Sequence, residues 1–111
     1  MHTTIYCLEL VGGRYYIGQT PLGRFDCRYK EHFLGGAKWT TRFKPVKVLW
    51  TKAVSCSEAD EAEDSAVLEV MLEHGPNSCR GGSFNIGKDI TKCPWWAKSH
   101  YRDNWGQIAS R

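Results

Sequence analysis

Three short segments carry the side chains of this chain that could do chemistry. Tyr6 and Tyr16 stand ten residues apart, Arg28 and His32 four residues apart, and Glu63 lies in an acidic stretch. A phenol or an imidazole can move a proton, a carboxylate can hold a cation, and a guanidinium can bind an anion through two parallel hydrogen bonds. The set can act together only if the fold brings the three segments to one place.

Two predicted strands would position the tyrosines. Residues 4–11 and 14–20 are rich in β-branched, aromatic and leucine residues and flank Gly12-Gly13, a pattern typical of a β-hairpin with a tight turn. Side chains alternate between the two faces of a strand, so Tyr6 and Tyr16 could converge at one surface of the sheet. Ordinary packing of two tyrosines across a strand pair is the alternative interpretation.

A first helix is predicted after the hairpin. Thr20-Pro21 suits a helix start, the regular helix could begin nearer Arg24, and a glycine pair at residues 35–36 ends the pattern. Arg28 and His32 lie one turn apart at the edge of an aromatic stripe, so we expect both near its rim. An arginine that extends along apolar surface beside a rim histidine is the structural alternative.

A basic stretch with interleaved aromatic residues separates this helix from the next predicted strand. Lys38, Arg42 and Lys44 are candidates for phosphate contacts, which would orient a nucleic acid without reading its sequence. Loop solvation explains each of them equally well when taken singly. Residues 46–53 alternate as a third strand, and Pro45 stands at its entrance, where no ladder donor is needed.

A long acidic helix is predicted from residue 57 to a Gly-Pro pair at 75–76. Small and apolar residues form one face, and Glu63 falls in the middle of it. A carboxylate there costs several kcal/mol unless it is paired or holds a metal. Asp60 in the first turn is the nearest alternative, and Asp64, about 100° around the helix, is a lesser one. A salt bridge from Glu63 to Arg28 is the structural explanation.

Length and charge bound the class of protein. The chain has 111 residues, enough for one domain with its own core. Its net charge is +3, with nine Lys and Arg against three acids in residues 1–56 and six against nine in residues 57–111. The basic half could follow a phosphate backbone, and a solvated face is the alternative.

Cysteine usage and hydropathy exclude several classes. The five cysteines are an odd number without a C-x-x-C pair, so neither a disulfide framework nor a zinc site is indicated. No apolar run approaches the roughly 18 residues that a membrane span needs, and no signal peptide pattern opens the chain. We therefore expect an intracellular protein, cytoplasmic or nuclear according to its host, without a membrane partner.

The triplets T-I-Y at residues 4–6 and Y-I-G at residues 16–18 resemble the paired signature of the GIY-YIG endonucleases, with Thr4 in place of the usual glycine. R-Y-K-E-H at residues 28–32 matches the spacing of an arginine and a histidine in that family's first helix. The passage before the third strand is also similar, with Trp39 at a position often held by tyrosine. R-G-G-S-F at residues 80–84 resembles an extension of part of the family, and the resemblance covers residues 4–84.

The resemblance implies an α+β fold, with a small three-stranded antiparallel sheet flanked by helices. Residues 1–91 would form the nuclease-like domain. Residues 92–111 would be a tryptophan-rich C-terminal extension that packs on or near it. Trp95 and Trp96 in this extension could stack on unpaired bases or cover the sheet.

The resemblance also implies an endonuclease that hydrolyses phosphodiester bonds in DNA by in-line attack of water. Glu63 would bind one Mg²⁺ or Mn²⁺ ion, and Arg28 would hold the scissile phosphate. Tyr6 would activate the water, Tyr16 would position water or phosphate, and His32 would assist proton transfer. The products would carry a 5′-phosphate and a 3′-hydroxyl.

Several points stay open at the level of the sequence. Arg80 could reach a phosphate, and either Asn77 or Asn85 could be the asparagine that many members carry after the long helix. The alternatives to a nuclease are a nucleic-acid-binding module that does not cut, a nuclease subunit that needs a partner, and a protein-interaction domain. The choice between DNA and RNA, the substrate shape and the formation of a homo-oligomer are also open.

Overall fold

A mixed β-sheet with helices on both faces makes up the fold. The computed structural model describes residues 1–111. No helix is long and apolar enough to cross a membrane. The strands are β1 (His2–Leu10), β2 (Arg14–Pro21), β3 (Pro45–Ser55) and β4 (Cys79–Gly81); the helices are α1 (Phe25–Phe33), α2 (Lys38–Arg42), α3 (Ala59–His74), α4 (Ser99–Asp103) and α5 (Trp105–Ala109), with a 3₁₀ turn (Cys56–Glu58) before α3.

The predicted hairpin is present and fixes the register of the tyrosines. β1 and β2 are antiparallel, with Tyr6 opposite Gly18 and Leu8 opposite Tyr16. Gly12 and Gly13 in the turn both have positive φ, of 85° and 73°, which glycine adopts without steric cost. Tyr6 and Tyr16 are therefore diagonal neighbours on one face, with ring centroids 6.3 Å apart.

The sheet has four strands, so the expected three-stranded antiparallel sheet needs correction. The order is β3-β1-β2-β4, and β4 pairs in parallel with Tyr15–Ile17 of β2. A strand of three residues is too short to show a hydrophobic period in the sequence. The glycine pair at residues 81–82 is instead typical of a turn, so the sequence did not predict β4. A side chain at Gly81 would collide with the carbonyl of Ile17, so this close pairing requires glycine there.

Two separate cores lie on opposite faces of the sheet. α1 and α2 cover a small aromatic core, and α3 with the C-terminal segment covers a larger one. Tyr101 and Ile108 of the extension are fully buried in the larger core, whereas Trp95 is 85% exposed. The extension thus divides between covering the sheet and presenting one free indole. The small core contains Tyr6, Leu8, Leu10, Tyr16 and Trp39.

Candidate active site

A chain of hydrogen bonds fixes Tyr6 and His32 in the small core. The Thr40 hydroxyl donates to the carbonyl oxygen of Ala37 at 3.2 Å and therefore accepts from Nδ1 of His32 at 2.9 Å. Nε2 of His32 is left without a proton and accepts from the hydroxyl of Tyr6 at 2.7 Å. The imidazole is thus held in the tautomer that can take a proton from the phenol.

His32 is fully buried, so its expected rim position was wrong. α2 folds over the end of α1 and places Thr40 against the imidazole, an arrangement that α1 alone does not reveal. Burial, together with the smaller effect of the nearby Arg28 charge, lowers the pKa of His32 to about 4. At neutral pH the ring is a neutral acceptor.

The buried imidazole predicts a pH dependence of folding. The unfolded chain binds a proton to His32 near pH 6.5 and the folded chain only near pH 4. The folded state is therefore favoured above pH 6.5 and loses about 3 kcal/mol from this group as the pH falls to 4. We expect urea unfolding at pH 7 and pH 4 to show this loss for the wild type relative to His32→Gln. Parallel stabilities of the two proteins across that range would contradict it.

Gly18 allows the two tyrosines to share one space. It lies between their rings, and a Cβ at this position would collide with the hydroxyl of Tyr6 and crowd the ring of Tyr16. The His32 ring lies 4.9 Å from the Tyr16 ring and 5.6 Å from the Tyr6 ring, so the three aromatic groups form one cluster. The last residue of the second triplet therefore has a steric role.

Glu63 lies in an open cleft of about 300 Å³ that Tyr16 also lines. Its side chain is only 6% exposed; Oε1 accepts from the backbone N–H of Gly82 at 2.9 Å, and Oε2 accepts from the Gln19 amide at 2.7 Å. The same amide donates to Asp60 at 2.8 Å. Burial is the main cause that raises the pKa of Glu63, and the hydrogen bonds from Gln19 and Gly82 act against it.

The short strand β4 explains how groups from both faces of the sheet meet. β4 ends at Gly81 opposite Ile17, so β2 beyond this point pairs with β1 alone. Gln19 and Glu63 approach this open edge from the α3 face, and Tyr16 approaches it from the α1 face. The charge of Glu63 adds to burial in raising the pKa of Tyr16, which confirms their proximity.

Arg28 stands at the rim, as expected. Its side chain is 27% exposed and forms an ion pair with Glu31 at 2.9 Å. No ion pair joins Arg28 to Glu63, so the structural explanation offered for the glutamate does not hold. Burial raises the pKa of Tyr6, and the charge of Arg28 acts against it, which places the guanidinium beside the phenol. One face of Arg28 thus opens to solvent next to the tyrosine cluster.

The acidic neighbours of Glu63 differ in their surroundings. Asp60 is exposed, whereas Asp64 is 4% exposed and accepts from the backbone and hydroxyl of Ser83, from Lys98 at 3.0 Å and from Tyr101 at 3.2 Å. Burial acts to raise the pKa of Asp64, but these donors outweigh it and the pKa lies below its usual range. Asp64 is therefore a structural carboxylate that ties the extension to α3.

The cleft fits a hard cation held by few protein ligands. No cluster of three or more His, Cys, Asp or Glu side chains is arranged around a metal. Mg²⁺ is nevertheless commonly held by one or two carboxylates, with water and substrate phosphate completing its shell. Glu63 and the nearby Asp60 offer carboxylate oxygens as ligands of that kind. The Gln19 amide donates a hydrogen bond to each of these carboxylates and so places its positive end between them.

The predicted basic contacts divide into two groups. Lys38 and Lys44 are exposed, and Arg42 is exposed but forms an ion pair with Asp89 at 2.9 Å. These three surround α2 and stay predicted phosphate contacts. Arg80, in contrast, is fully buried and cannot reach a phosphate, so that prediction was wrong.

Arg80 organises the loop after α3. It donates to the carbonyls of Pro76, Cys79 and Lys88 and to Oδ1 of Asn77, and it stacks 4.4 Å from the Trp39 ring. Four acceptors bind the two terminal nitrogens of the guanidinium inside the fold, and an aromatic face lies against it, whereas its buried Nε has no hydrogen-bond partner. Trp39 is fully buried, and its Nε1 donates to the carbonyl of Tyr15 at 3.1 Å, so it has a packing role.

The two candidate asparagines lie in different surroundings. Asn77 is used within the protein, since its side chain bonds Arg80 and both backbone groups of Ile90. Asn85 is exposed and lines the cleft of Glu63.

Sequence reasoning missed three functional contributors: Gln19, Thr40 and Gly82. A strand glutamine, a helical threonine and a loop glycine carry no local signal, because each acts through a partner at least eight residues away. Gln19 follows the Y-I-G triplet directly, which is the only feature that could have drawn attention to it.

Comparison with known proteins adds nothing to these observations. No protein-family model, curated protein or solved structure matches the chain. The resemblance to the GIY-YIG endonucleases rests on the motifs in the sequence.

Proposed function

We propose that the chain is a divalent-metal-dependent endonuclease of the GIY-YIG type that hydrolyses phosphodiester bonds in DNA. One observation carries the proposal: residues from three distant segments meet at a single open edge of the sheet, with Tyr16 touching both the His32 cluster and the Glu63 cleft. The site residues are Tyr6, Tyr16, Arg28, His32 and Glu63.

Phosphate binding falls to Arg28 and Glu63 together. Arg28 offers a partly exposed guanidinium at the rim, and binding a phosphate would require it to exchange its ion pair with Glu31. Glu63 would hold a Mg²⁺ or Mn²⁺ ion, which when bound would supply positive charge at the reacting phosphate. The two groups would hold the scissile phosphate between them, which fixes the line of attack for water.

Proton transfer falls to the pair of Tyr6 and His32. Burial raises the pKa of Tyr6, so a stable tyrosinate is not available as a base at neutral pH. The hydrogen bond from its hydroxyl to Nε2 of His32 offers another route. As the water oxygen attacks phosphorus, its proton would pass to the Tyr6 oxygen while the phenol proton moves to His32, and the leaving 3′-oxygen would take a proton from solvent water. Tyr6 and His32 are fully buried, so this route requires the bound phosphate to open the cluster to the attacking water. Burial is the larger cause that disfavours the imidazolium, and a phosphate on Arg28 would offset the smaller effect of the Arg28 charge.

A surface for the DNA backbone flanks the site. Lys38 and Lys44 lie on and after α2, both exposed, in the half of the chain that carries nine Lys and Arg against three acids. Contacts of this kind neutralise phosphates and release counterions, so binding should weaken steeply with salt. Because they read no base edges, they favour an enzyme that selects DNA by shape rather than by sequence.

Cleavage assays with a matched pair of arginine and lysine variants test the proposal. Labelled duplex, flap, branched and single-stranded DNA would be incubated with Mg²⁺, Mn²⁺ or EDTA. We expect metal-dependent products with 5′-phosphates, a loss of at least about 100-fold for Arg28→Ala, and little change for the exposed Lys30→Ala on the same helix. Cleavage by Arg28→Ala at the wild-type rate would refute the site. Salt-sensitive binding without cleavage of any DNA would favour a binding module instead.

A further inference from the structure

A second cleft, larger than the one at Glu63, lies outside the proposed active site. It measures about 720 Å³ and is formed by the loop at residues 86–96 with Arg102 of α4. This volume is within the range that accommodates ligands of roughly nucleotide size. Neither the motifs nor the proposed mechanism uses the cleft, and it lies largely beyond the part of the chain that resembles a known family.

An anchored pair of tryptophans forms one wall of the cleft. Trp96 packs against the core residue Phe84, with ring centroids 5.2 Å apart, and is 38% exposed. Trp95 is 85% exposed, although neighbouring residues such as Ala97 are buried. A large apolar ring held in water next to a fixed support is costly for folding alone, and such rings commonly serve as contact surfaces.

The charges of the cleft favour an anionic partner. Lys88 and Lys92 line it and form no ion pair or side-chain hydrogen bond. Arg102 uses only its Nε, which donates to the carbonyl of Ala97 at 2.9 Å. The one acid in the cleft, Asp89, already accepts from Arg42. Three cations are therefore available around an exposed indole, the combination that binds unpaired nucleic acid by stacking and phosphate contacts.

The tryptophan cleft adjoins the active-site cleft along two chain segments. Asn85 lines the cleft of Glu63, and the next residue, Ile86, lines the tryptophan cleft. On the opposite side Lys98 lines the first and Trp96 the second. A strand that leaves the proposed cleavage site over this boundary would meet Trp95 within a few nucleotides.

We propose that the tryptophan cleft binds an unpaired nucleic-acid strand beside the cleavage site, with Trp95 stacked on a base and Lys88, Lys92 and Arg102 at phosphates. The proposal rests on the proposed nuclease function and specifies its substrate, which is nucleic acid with a single-stranded branch or end rather than uninterrupted duplex.

Binding of a fluorescein-labelled oligothymidine, measured by anisotropy in EDTA, tests the cleft without any need for cleavage. We expect Trp95→Ala to weaken binding roughly 10-fold and Trp95→Phe to weaken it less, because every aromatic ring offers a stacking face. Lys92→Ala should lower the slope of log affinity against log salt by about 0.7. Trp50→Ala is the control, since Trp50 is another tryptophan at the surface, 38% exposed, but lies on β3, at the other edge of the sheet.

Each outcome separates this proposal from the proposed function. Wild-type affinity in Trp95→Ala overturns the stacking site, even if the protein cuts DNA. Absence of oligothymidine binding by the wild type also overturns the stacking site, and the exposed indole of Trp95 would then be a contact surface for a protein partner. Binding that depends on Trp95 in a protein that cuts no DNA with Mg²⁺ or Mn²⁺ supports the cleft while refuting the nuclease.

Discussion

Glu63→Gln is expected to lower the rate of metal-dependent DNA cleavage by about 1,000-fold or more, with folding and DNA binding retained. Glutamine keeps the size of the side chain and an oxygen for the N–H of Gly82, but it removes the negative charge that a cation needs. Because burial raises the pKa of Glu63, loss of its charge relieves a desolvation cost, whereas the new NH₂ group cannot accept from the Gln19 amide. These contributions oppose each other, so the stability of the variant should stay within about 1 kcal/mol of the wild type. Single-turnover cleavage and urea unfolding measure the two effects.

Two variants of the same helix control this experiment. Glu69 is exposed on α3, so Glu69→Gln should cut at the wild-type rate. Asp60→Asn tests the nearest alternative carboxylate, and we expect a loss of less than about tenfold, since Asp60 is exposed and meets the site through the Gln19 amide. A larger loss for Asp60→Asn than for Glu63→Gln would transfer the metal-binding role to Asp60.

Arg80→Ala is expected to have the largest effect on stability, about 3–5 kcal/mol. The substitution removes the guanidinium donor from three backbone carbonyls in a buried region and leaves Oδ1 of Asn77 with only the N–H of Ile90. It also removes the group that lies between the Trp39 and Phe84 rings, at 4.4 Å and 5.4 Å. Burial lowers the pKa of Arg80 to about 10, so the guanidinium stays charged at neutral pH and its hydrogen bonds are charge-assisted.

Equilibrium unfolding in urea would measure this loss. Arg80→Lys should recover only a part of the stability, because a point charge cannot bridge four acceptors in different directions. The exposed Arg42→Ala is the matched control and should cost less than about 1 kcal/mol. A loss of less than about 1 kcal/mol for Arg80→Ala would show that water replaces the guanidinium in that loop.

Local patterns predicted the hairpin, the first helix, the third strand and the acidic helix, because each has a clear period or a terminating glycine. The helical period also predicted that Glu63 faces the protein interior, and the structure buries it beside Val67. The same period did not predict the burial of Asp64. The C-terminal extension covers a second flank of α3 through Tyr101, and a helix covered on two flanks has no single buried face.

The remaining features depend on partners far away in the sequence. The burial of Arg80 is set by carbonyls on both sides of it, and the burial of His32 is set by Thr40 in a helix of only five residues. β4 exists only because β2 offers it an edge. A short stretch of sequence does not reveal contacts with distant residues, whereas the hydrophobic period of an amphipathic helix or strand lies within the element itself.

The placement of the site across two cores has a consequence for mutational robustness. Tyr6, Tyr16 and His32 rest on the small aromatic core, while Glu63 is carried by the helix that covers the larger one. A substitution in either core can leave all these side chains intact and still change the position of the tyrosines and His32 relative to Glu63. Core substitutions should therefore lower the activity before they lower the global melting temperature. Variants selected for thermal tolerance alone would keep the fold, but the distances between the side chains of the site could change.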